Sequence, residues 1–116
     1  MDTYASAKQN VLVGESKFSF QKMLQNIQVG DTLQHNGCDV SVVTKALKEK
    51  NRGFLIEISL GSATLEAEQV FNYEEMLWMI QAGNFLVLDG ATRVVREKLF
   101  TQSGSEYSPT LYLMKP

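Results

Sequence analysis

The chain holds one histidine and one cysteine, and they flank a single turn dipeptide. His35 precedes Asn36–Gly37 and Cys38 follows it. A thiolate beside a histidine base is a nucleophilic pair, and both side chains are metal ligands, although a metal site needs three or four. The spacing across a hairpin end tends to place the two side chains on different faces. We therefore interpret His35 as a surface residue and Cys38 as a small, half-buried one.

Five glutamates offer a second kind of chemistry: Glu57, Glu66, Glu68, Glu74 and Glu75. Paired carboxylates perform acid–base catalysis when burial splits their pKa values. Glu57, however, lies on the polar face of an alternating strand, and Glu74 and Glu75 lie in the first turn of a predicted helix, where the helix dipole favours them. The sequence carries no phosphate-binding loop, metal-ligand motif or triad signature. It therefore predicts a protein that is not an enzyme, with no catalytic residue, metal or cofactor.

Basic residues are concentrated in two short stretches, "KALKEKNR" and "RVVREK". Such clusters attract phosphate groups, and arginine binds phosphate through two hydrogen bonds at once. The other interpretation is that lysine-rich hairpins serve solubility and protect sheet edges. The candidate anion-binding residues are Lys45, Lys48, Lys50, Arg52, Arg93, Arg96 and Lys98.

The elements that must position these residues follow from an internal repeat of 53 residues. The run "FSFQKMLQNIQVG" at 18–30 returns as "FNYEEMLWMIQAG" at 71–83. A fixed period of this size is typical of repeated supersecondary units. Over 25 aligned positions the identical pairs are Phe18/Phe71, Met23/Met76, Leu24/Leu77, Ile27/Ile80, Gln28/Gln81, Gly30/Gly83, Leu33/Leu86, Gly37/Gly90 and Val42/Val95.

Each copy contains the signals of a short helix. Ser19 and Asn72 are suitable N-caps, and Glu75 completes a capping box with Asn72. Both helical patterns run for about nine residues to a glycine, Gly30 or Gly83, where a left-handed residue ends a helix.

Strands surround each helix. Asn36–Gly37 and Asp89–Gly90 each predict a type I′ hairpin, followed by third strands at 54–60 and 108–114. Pro109 indicates an edge or strand-entry position. A further strand precedes each helix, at 10–13 and 63–70.

These elements define the expected fold. We expect an α+β protein that forms a single domain over residues 1–116. It contains an internal duplication of a β-α-β-β-β unit, with repeat unit one at 10–61 and repeat unit two at 63–114. Two short helices cover antiparallel sheet, and two similar halves favour a pseudo-twofold, fused-dimer-like arrangement. Whether the strands form one sheet, two sheets or a barrel stays open.

Trp78 and Met79 differ from their repeat counterparts, Gln25 and Asn26. We favour deeper burial of the second helix as the explanation; the alternative is that Trp78 anchors a partner from the surface. With no catalytic group in the sequence, our first hypothesis is a small protein-binding protein, an inhibitor or adaptor, with Trp78 and Met79 as the candidate contact. The alternative is a nucleic-acid or phosphate-ligand binding module that uses the two basic hairpins.

Composition sets the remaining expectations. The 116 residues are 44% hydrophobic and 21% charged, as in ordinary folded proteins. A net charge of -2 provides no overall attraction to nucleic acid or anionic membrane. No apolar run is long enough for a membrane span, and the start lacks the pattern of a secretory signal. We therefore expect a cytoplasmic protein with a protein partner and no membrane association, and a homodimer stays open.

Overall fold

The computed structural model describes residues 7, 8 and 10–116, and its fold is α+β. Two short helices lie among many strands in the described part of the chain. The helices are α1 (Phe20–Asn26) and α2 (Tyr73–Met79). The strands are β1 (Ala7–Lys8), β2 (Val11–Leu12), β3 (Thr32–His35), β4 (Cys38–Ser41), β5 (Thr44–Lys50), β6 (Gly53–Ser59), β7 (Thr64–Glu66), β8 (Phe85–Leu88), β9 (Ala91–Ser103) and β10 (Glu106–Met114).

Six strands form one mixed sheet in the order β10-β9-β8-β5-β6-β7, and β1-β2 and β3-β4 are separate pairs. Strands β5 and β8 are parallel, with Ala46 opposite Phe85 and Lys48 opposite Val87. The expectation of purely antiparallel sheet is therefore wrong at this pair. The pseudo-twofold arrangement is wrong as well, because a twofold axis would repeat the β5–β8 pairing between the equivalent strands β9 and β3. Among the described strands, β3 pairs only with β4.

The two halves also use their first hairpin differently. After β4 the chain leaves regular strand at Val42 and Val43, so β3 and β4 stand apart from the main sheet. The corresponding stretch of the second half runs without interruption as β9, and β8 is inserted beside β5. Sequence similarity between the hairpins therefore coexists with different pairing partners.

Both helix starts follow the sequence prediction. The Ser19 side chain accepts a hydrogen bond from the backbone N–H of Lys22 at 3.2 Å. Asn72 accepts from the N–H of Glu75 at 2.8 Å, and Glu75 accepts in return from the N–H of Asn72 at 2.9 Å. The capping box is thus confirmed, and it satisfies two backbone donors that a helix start leaves free.

The helix ends differ from the prediction. The helices end at Asn26 and Met79 with extended C-caps, Ile27 and Ile80, so they are seven residues long and stop before the glycines. Gly30 and Gly83 do have positive φ angles of 94° and 91°. They serve a turn that leads into the next strand. The left-handed residues were therefore correctly located, but they are not helix C-caps.

Both predicted hairpin turns are confirmed. Asn36 and Gly37 have φ angles of 50° and 81°, and Asp89 and Gly90 have 52° and 75°. Two consecutive positive φ values define the type I′ turn. Strand β10 is an edge strand that contains Pro109, as expected.

The strands before the helices are shorter than predicted. Strand β7 covers only Thr64–Glu66 of the expected 63–70 stretch. Beyond it, Phe71 turns inward and exchanges two backbone hydrogen bonds with Phe54, at 2.7 and 2.8 Å. Strand β2 pairs with β1 and not with the main sheet.

The core lies between the helices and the main sheet. Leu47, Ile56 and Leu86 lie side by side in one cross-strand row and are buried. They belong to one apolar cluster that includes Leu24 of α1 and Met76 of α2. Each such side chain contributes about 1.5–3 kcal/mol through burial.

Several hydrogen bonds recur at positions 53 residues apart. The N–H of Gly30 donates to Val42 O at 3.0 Å, and the N–H of Gly83 donates to Val95 O at 2.8 Å. In the same turns the N–H groups of Gln28 and Gln81 each donate to a side-chain oxygen, of Asp31 and Asn84, at 2.8 Å. The turn after each helix is thus held by the same contacts.

Candidate protein-binding site

Trp78 is the most exposed large side chain of α2. Its exposed fraction is 67%, so the expectation that deeper burial explains this residue is wrong. Met79 is half-buried and packs against the core. The two residues therefore divide the roles that the sequence left open: Met79 joins the interior, and Trp78 faces solvent.

Helix α2 holds Trp78 in a fixed position. The capping box fixes the start of the helix, and buried Met76 and Ile80 attach it to the core. At its end, the ammonium group of Lys98 donates to Trp78 O at 3.4 Å and to Ile80 O at 3.1 Å. These bonds satisfy carbonyl groups that a helix end leaves free. The indole is thus an exposed apolar group on a backbone that is restrained on both sides.

An apolar groove of about 300 Å³ lies between α2 and β10. Tyr73 and Leu77 line one wall, and Pro109, Leu111 and Leu113 line the other. The groove adds apolar surface to the exposed part of α2. Trp78 does not line it.

The first predicted basic stretch is divided between the two faces of the sheet. Lys45 is fully buried, and its ammonium group donates to Gln25 O at 2.9 Å and to Ile27 O at 2.8 Å. Lys48, three residues further along the same strand, lies on the opposite face. It forms an ion pair with Glu57 at 3.2 Å. An anion therefore cannot reach both lysines from one side.

Burial changes the acid–base properties of Lys45. Desolvation lowers its pKa to about 8, although the nearby Asp31 carboxylate acts to raise it. Burial also lowers the pKa of Lys98. Both ammonium groups lie at the C-terminal end of a helix, where the helix dipole favours positive charge.

The other basic candidates are more accessible. Lys50 and Arg52 are exposed at the β5–β6 turn. On β9, Arg93 donates to Thr92 O at 3.1 Å, and Arg96 lies 5.5 Å from the centre of the Tyr112 ring. The structure thus leaves four basic residues accessible, two at the β5–β6 turn and two on β9, and does not bring all seven together.

His35 and Cys38 lie directly opposite each other in the β3–β4 pair. Opposite residues of an antiparallel pair share a face, so the expectation that they point to different faces is wrong. His35 is half-buried and Cys38 is exposed. Within residues 7, 8 and 10–116, no group of three or more His, Cys, Asp or Glu residues is arranged to hold a metal ion.

Two apolar surfaces were missed by the sequence analysis. The N-terminal apolar segment consists of exposed Val11, Leu12, Val13, Phe18 and Phe20. The C-terminal apolar hairpin consists of exposed Leu99, Phe100, Tyr107, Tyr112, Leu113 and Met114 on β9 and β10. The repeat is a signal for five of these residues, because their counterparts in the other half are buried: Phe71, Ala46, Leu47, Phe54 and Leu60.

Comparison with protein-family models, curated proteins and solved structures finds no match for this chain. No helix among the described residues has the length and apolar character needed to cross a bilayer.

Proposed function

We propose that this chain is a small, non-enzymatic binding protein that acts through protein–protein contact as an inhibitor or adaptor. The observation that carries the proposal is the 67% exposure of Trp78 on a helix with restrained ends. Tryptophan is enriched among the residues that dominate protein interfaces. Because the backbone of α2 is restrained at both ends, binding through Trp78 costs little backbone conformational freedom.

The alternative function, binding of nucleic acid or a phosphate-bearing ligand through the basic hairpins, has less support. Lys45 is buried, Lys98 is directed at helix carbonyl groups, and Lys48 is paired with Glu57. Binding of nucleic acid or a phosphate-bearing ligand would therefore depend on Lys50, Arg52, Arg93 and Arg96. The experiment described next also detects this alternative function.

The test is recovery of bound material from the protein purified at low salt, before and after a high-salt wash. A stoichiometric protein companion that survives the wash, identified by mass spectrometry, is the expected result. An apolar interface tolerates salt, whereas charge-led binding weakens steeply. A nucleic-acid signal at 260 nm that the wash removes would support the basic residues and contradict the proposal.

Variants then test the anchor itself. Trp78→Ala should reduce affinity for the companion by about 2 kcal/mol, roughly thirtyfold. Gln25→Ala is the matched control, because Gln25 occupies the same position in α1 that Trp78 occupies in α2. Equal retention of the companion by both variants would exclude Trp78 as the contact.

We also propose that residues 10–61 and 63–114 are the two copies of an internal duplication. Nine identical pairs at a spacing of 53 residues support it. The recurring hydrogen bonds after each helix support it further, as do Lys45 and Lys98, which bond to equivalent carbonyl groups.

A further inference from the structure

Strand pairing joins the two halves of the chain at three places. Strand β8 lies parallel to β5, where residues 85–87 pair with Ala46–Lys48. Phe71 exchanges backbone hydrogen bonds with Phe54. Strand β7 extends the sheet beyond β6. At each contact, the second half adds its leading elements to the trailing strands of the first half.

The same contacting groups occur a second time, at the two ends of the chain. Shifted by 53 residues, the strand that receives β8 corresponds to Leu99–Thr101, and Phe54 corresponds to Tyr107. In the other direction, residues 85–87 correspond to Thr32–Gln34, and Phe71 corresponds to Phe18. Strand β2 likewise takes the place of β7. Each half therefore contains both the strands that receive and the elements that insert. Within the chain, the first half only receives and the second half only inserts.

Leu99–Thr101 and Tyr107 form the receiving side of the second half, which the chain leaves unused. This side is apolar and exposed. Leu47 is 0% exposed, whereas its counterpart Phe100 is 57% exposed. Phe54 is 4% exposed, whereas Tyr107 is 62% exposed. Phe100 and Tyr107 are thus exposed to solvent, whereas the equivalent side chains of the first half are buried.

Strand β2, Phe18 and Thr32–Gln34 form the inserting side of the first half, which the chain also leaves unused. Exposure shows the same contrast here. Phe71 is 3% exposed, whereas its counterpart Phe18 is 54% exposed. Leu12, the counterpart of half-buried Leu65, is also exposed. Contiguous apolar surface of this kind marks interaction sites.

The backbone is available on both sides as well. In the described part of the chain, no strand pairs with the edge of β9 at Leu99–Thr101 that faces away from β10. No described strand pairs with the edge of β3 that faces away from β4. Unpaired edges recruit further strands.

We propose that a second copy of this chain docks head-to-tail on the first and repeats the junction between the halves. Its β3 lies parallel to Leu99–Thr101, its Phe18 side chain covers Tyr107, and its β2 extends the sheet beyond β10. The proposal rests on the internal duplication proposed above and not on Trp78. Because the two surfaces differ, the contact is heterologous and produces a ring or a filament.

One difference between the halves adds charge complementarity to the contact. A Cβ atom at Gly53 would meet the Val70 side chain and lie 2.6 Å from Phe71 O. The counterpart of Gly53 is Glu106, and the counterpart of Val70 is Lys17. The second copy therefore lies farther from the hairpin at this point, with Lys17 opposite Glu106. Opposite charges that face each other across an interface help to fix its register.

The test is the mass of the protein and of two exposed-surface variants by size-exclusion chromatography with light scattering. Wild-type protein should elute as a multiple of the 13.0 kDa chain. Phe18→Asp removes the inserting side and Phe100→Asp the receiving side. Each should stop assembly, because a carboxylate would be buried against apolar groups. Leu12→Asp and Tyr107→Asp are second variants of the two sides.

Mixing separates head-to-tail assembly from every other arrangement. Phe18→Asp retains an intact receiving side, and Phe100→Asp retains an intact inserting side. The mixture should therefore form a dimer of twice 13.0 kDa and nothing larger. Far-UV circular dichroism spectra that match wild type show that the variants are folded; the melting temperatures should differ, because assembly itself stabilises the folded state.

Three outcomes would overturn the proposal: a monomeric wild-type protein, continued assembly of either variant, or no dimer in the mixture. Trp78→Ala should assemble like wild type, and monomeric Phe18→Asp should still retain the protein companion. Loss of assembly and loss of the companion therefore report on two different surfaces, so either proposal can fail alone.

Discussion

Lys45 and Lys98 make the same contact at two places in the molecule. Each lysine donates to two carbonyl oxygens at the C-terminal end of a helix, and the two residues are 53 positions apart. Lys45 reaches α1 and Lys98 reaches α2. A lysine on the sheet thus closes each helix end in place of the glycine C-cap that the sequence suggested.

Replacement of Lys45 by methionine should destabilise the protein more than the same change at Lys98. The Lys45 side chain is fully buried, so Lys45→Met leaves the buried Ile27 O and the part-buried Gln25 O without their donor. We expect a loss of about 1–3 kcal/mol in the free energy of unfolding. Water can replace the half-buried ammonium group of Lys98, so Lys98→Met should cost less. Urea unfolding of both variants measures the difference, and equal losses would contradict it.

The lowered pKa of Lys45 predicts a stability change in mild alkali. Between pH 8 and pH 10.5 the unfolded chain keeps the proton on Lys45 while the folded chain releases it, so the unfolded state binds more protons and stability rises with pH. The shift corresponds to roughly 3 kcal/mol across this window. The measurement is the difference in free energy of unfolding between wild type and Lys45→Met, which removes background titrations common to both. A difference that stays constant from pH 7.5 to about 10 would disprove the linkage.

Local features of the fold were predictable because they depend on few neighbouring residues. The capping box needs only Asn72 and Glu75, and each type I′ turn needs a dipeptide such as Asn36–Gly37. The parallel pairing of β5 with β8 was not predictable in this way. It joins strands separated by a helix and a hairpin, and it is decided by which apolar faces meet in the core.

The candidate site could be predicted only in part. The sequence identified Trp78 as unusual because its repeat counterpart is polar Gln25, but the same apolar residue type suits either a core or an interface. Lys45 was misleading for the opposite reason, since lysine is rarely buried. A usable signal was present: Lys45 shares its strand face with Leu47, and the same lysine recurs at Lys98.

Loss of the N-cap at α2 should weaken the helix that carries Trp78. Asn72→Ala removes an acceptor and leaves the Glu75 N–H without its partner. We expect a loss of about 1 kcal/mol in the free energy of unfolding. Ser19→Ala should cost a similar amount at α1, where the corresponding bond is longer, at 3.2 Å. Denaturant melts of both variants check these values, and unchanged stability would show that the caps contribute nothing.

Gly53→Ala should damage the junction between the two halves of the chain. A methyl group there would lie 2.6 Å from Phe71 O and would also meet the Val70 side chain. A backbone oxygen cannot move aside as a flexible side chain can, so the paired hydrogen bonds between Phe54 and Phe71 must break or shift. We expect a loss of about 2 kcal/mol or more in the free energy of unfolding.

The matched control for this change is Gly104→Ala, in the turn between β9 and β10. Its φ angle is 65°, and no atom lies within 4 Å of the added Cβ, so only backbone strain opposes it. That strain costs about 1 kcal/mol. Urea unfolding should therefore rank Gly53→Ala as the more destabilising of the two. The reverse order would mean that the close approach of Phe71 to Gly53 does not hold the halves together.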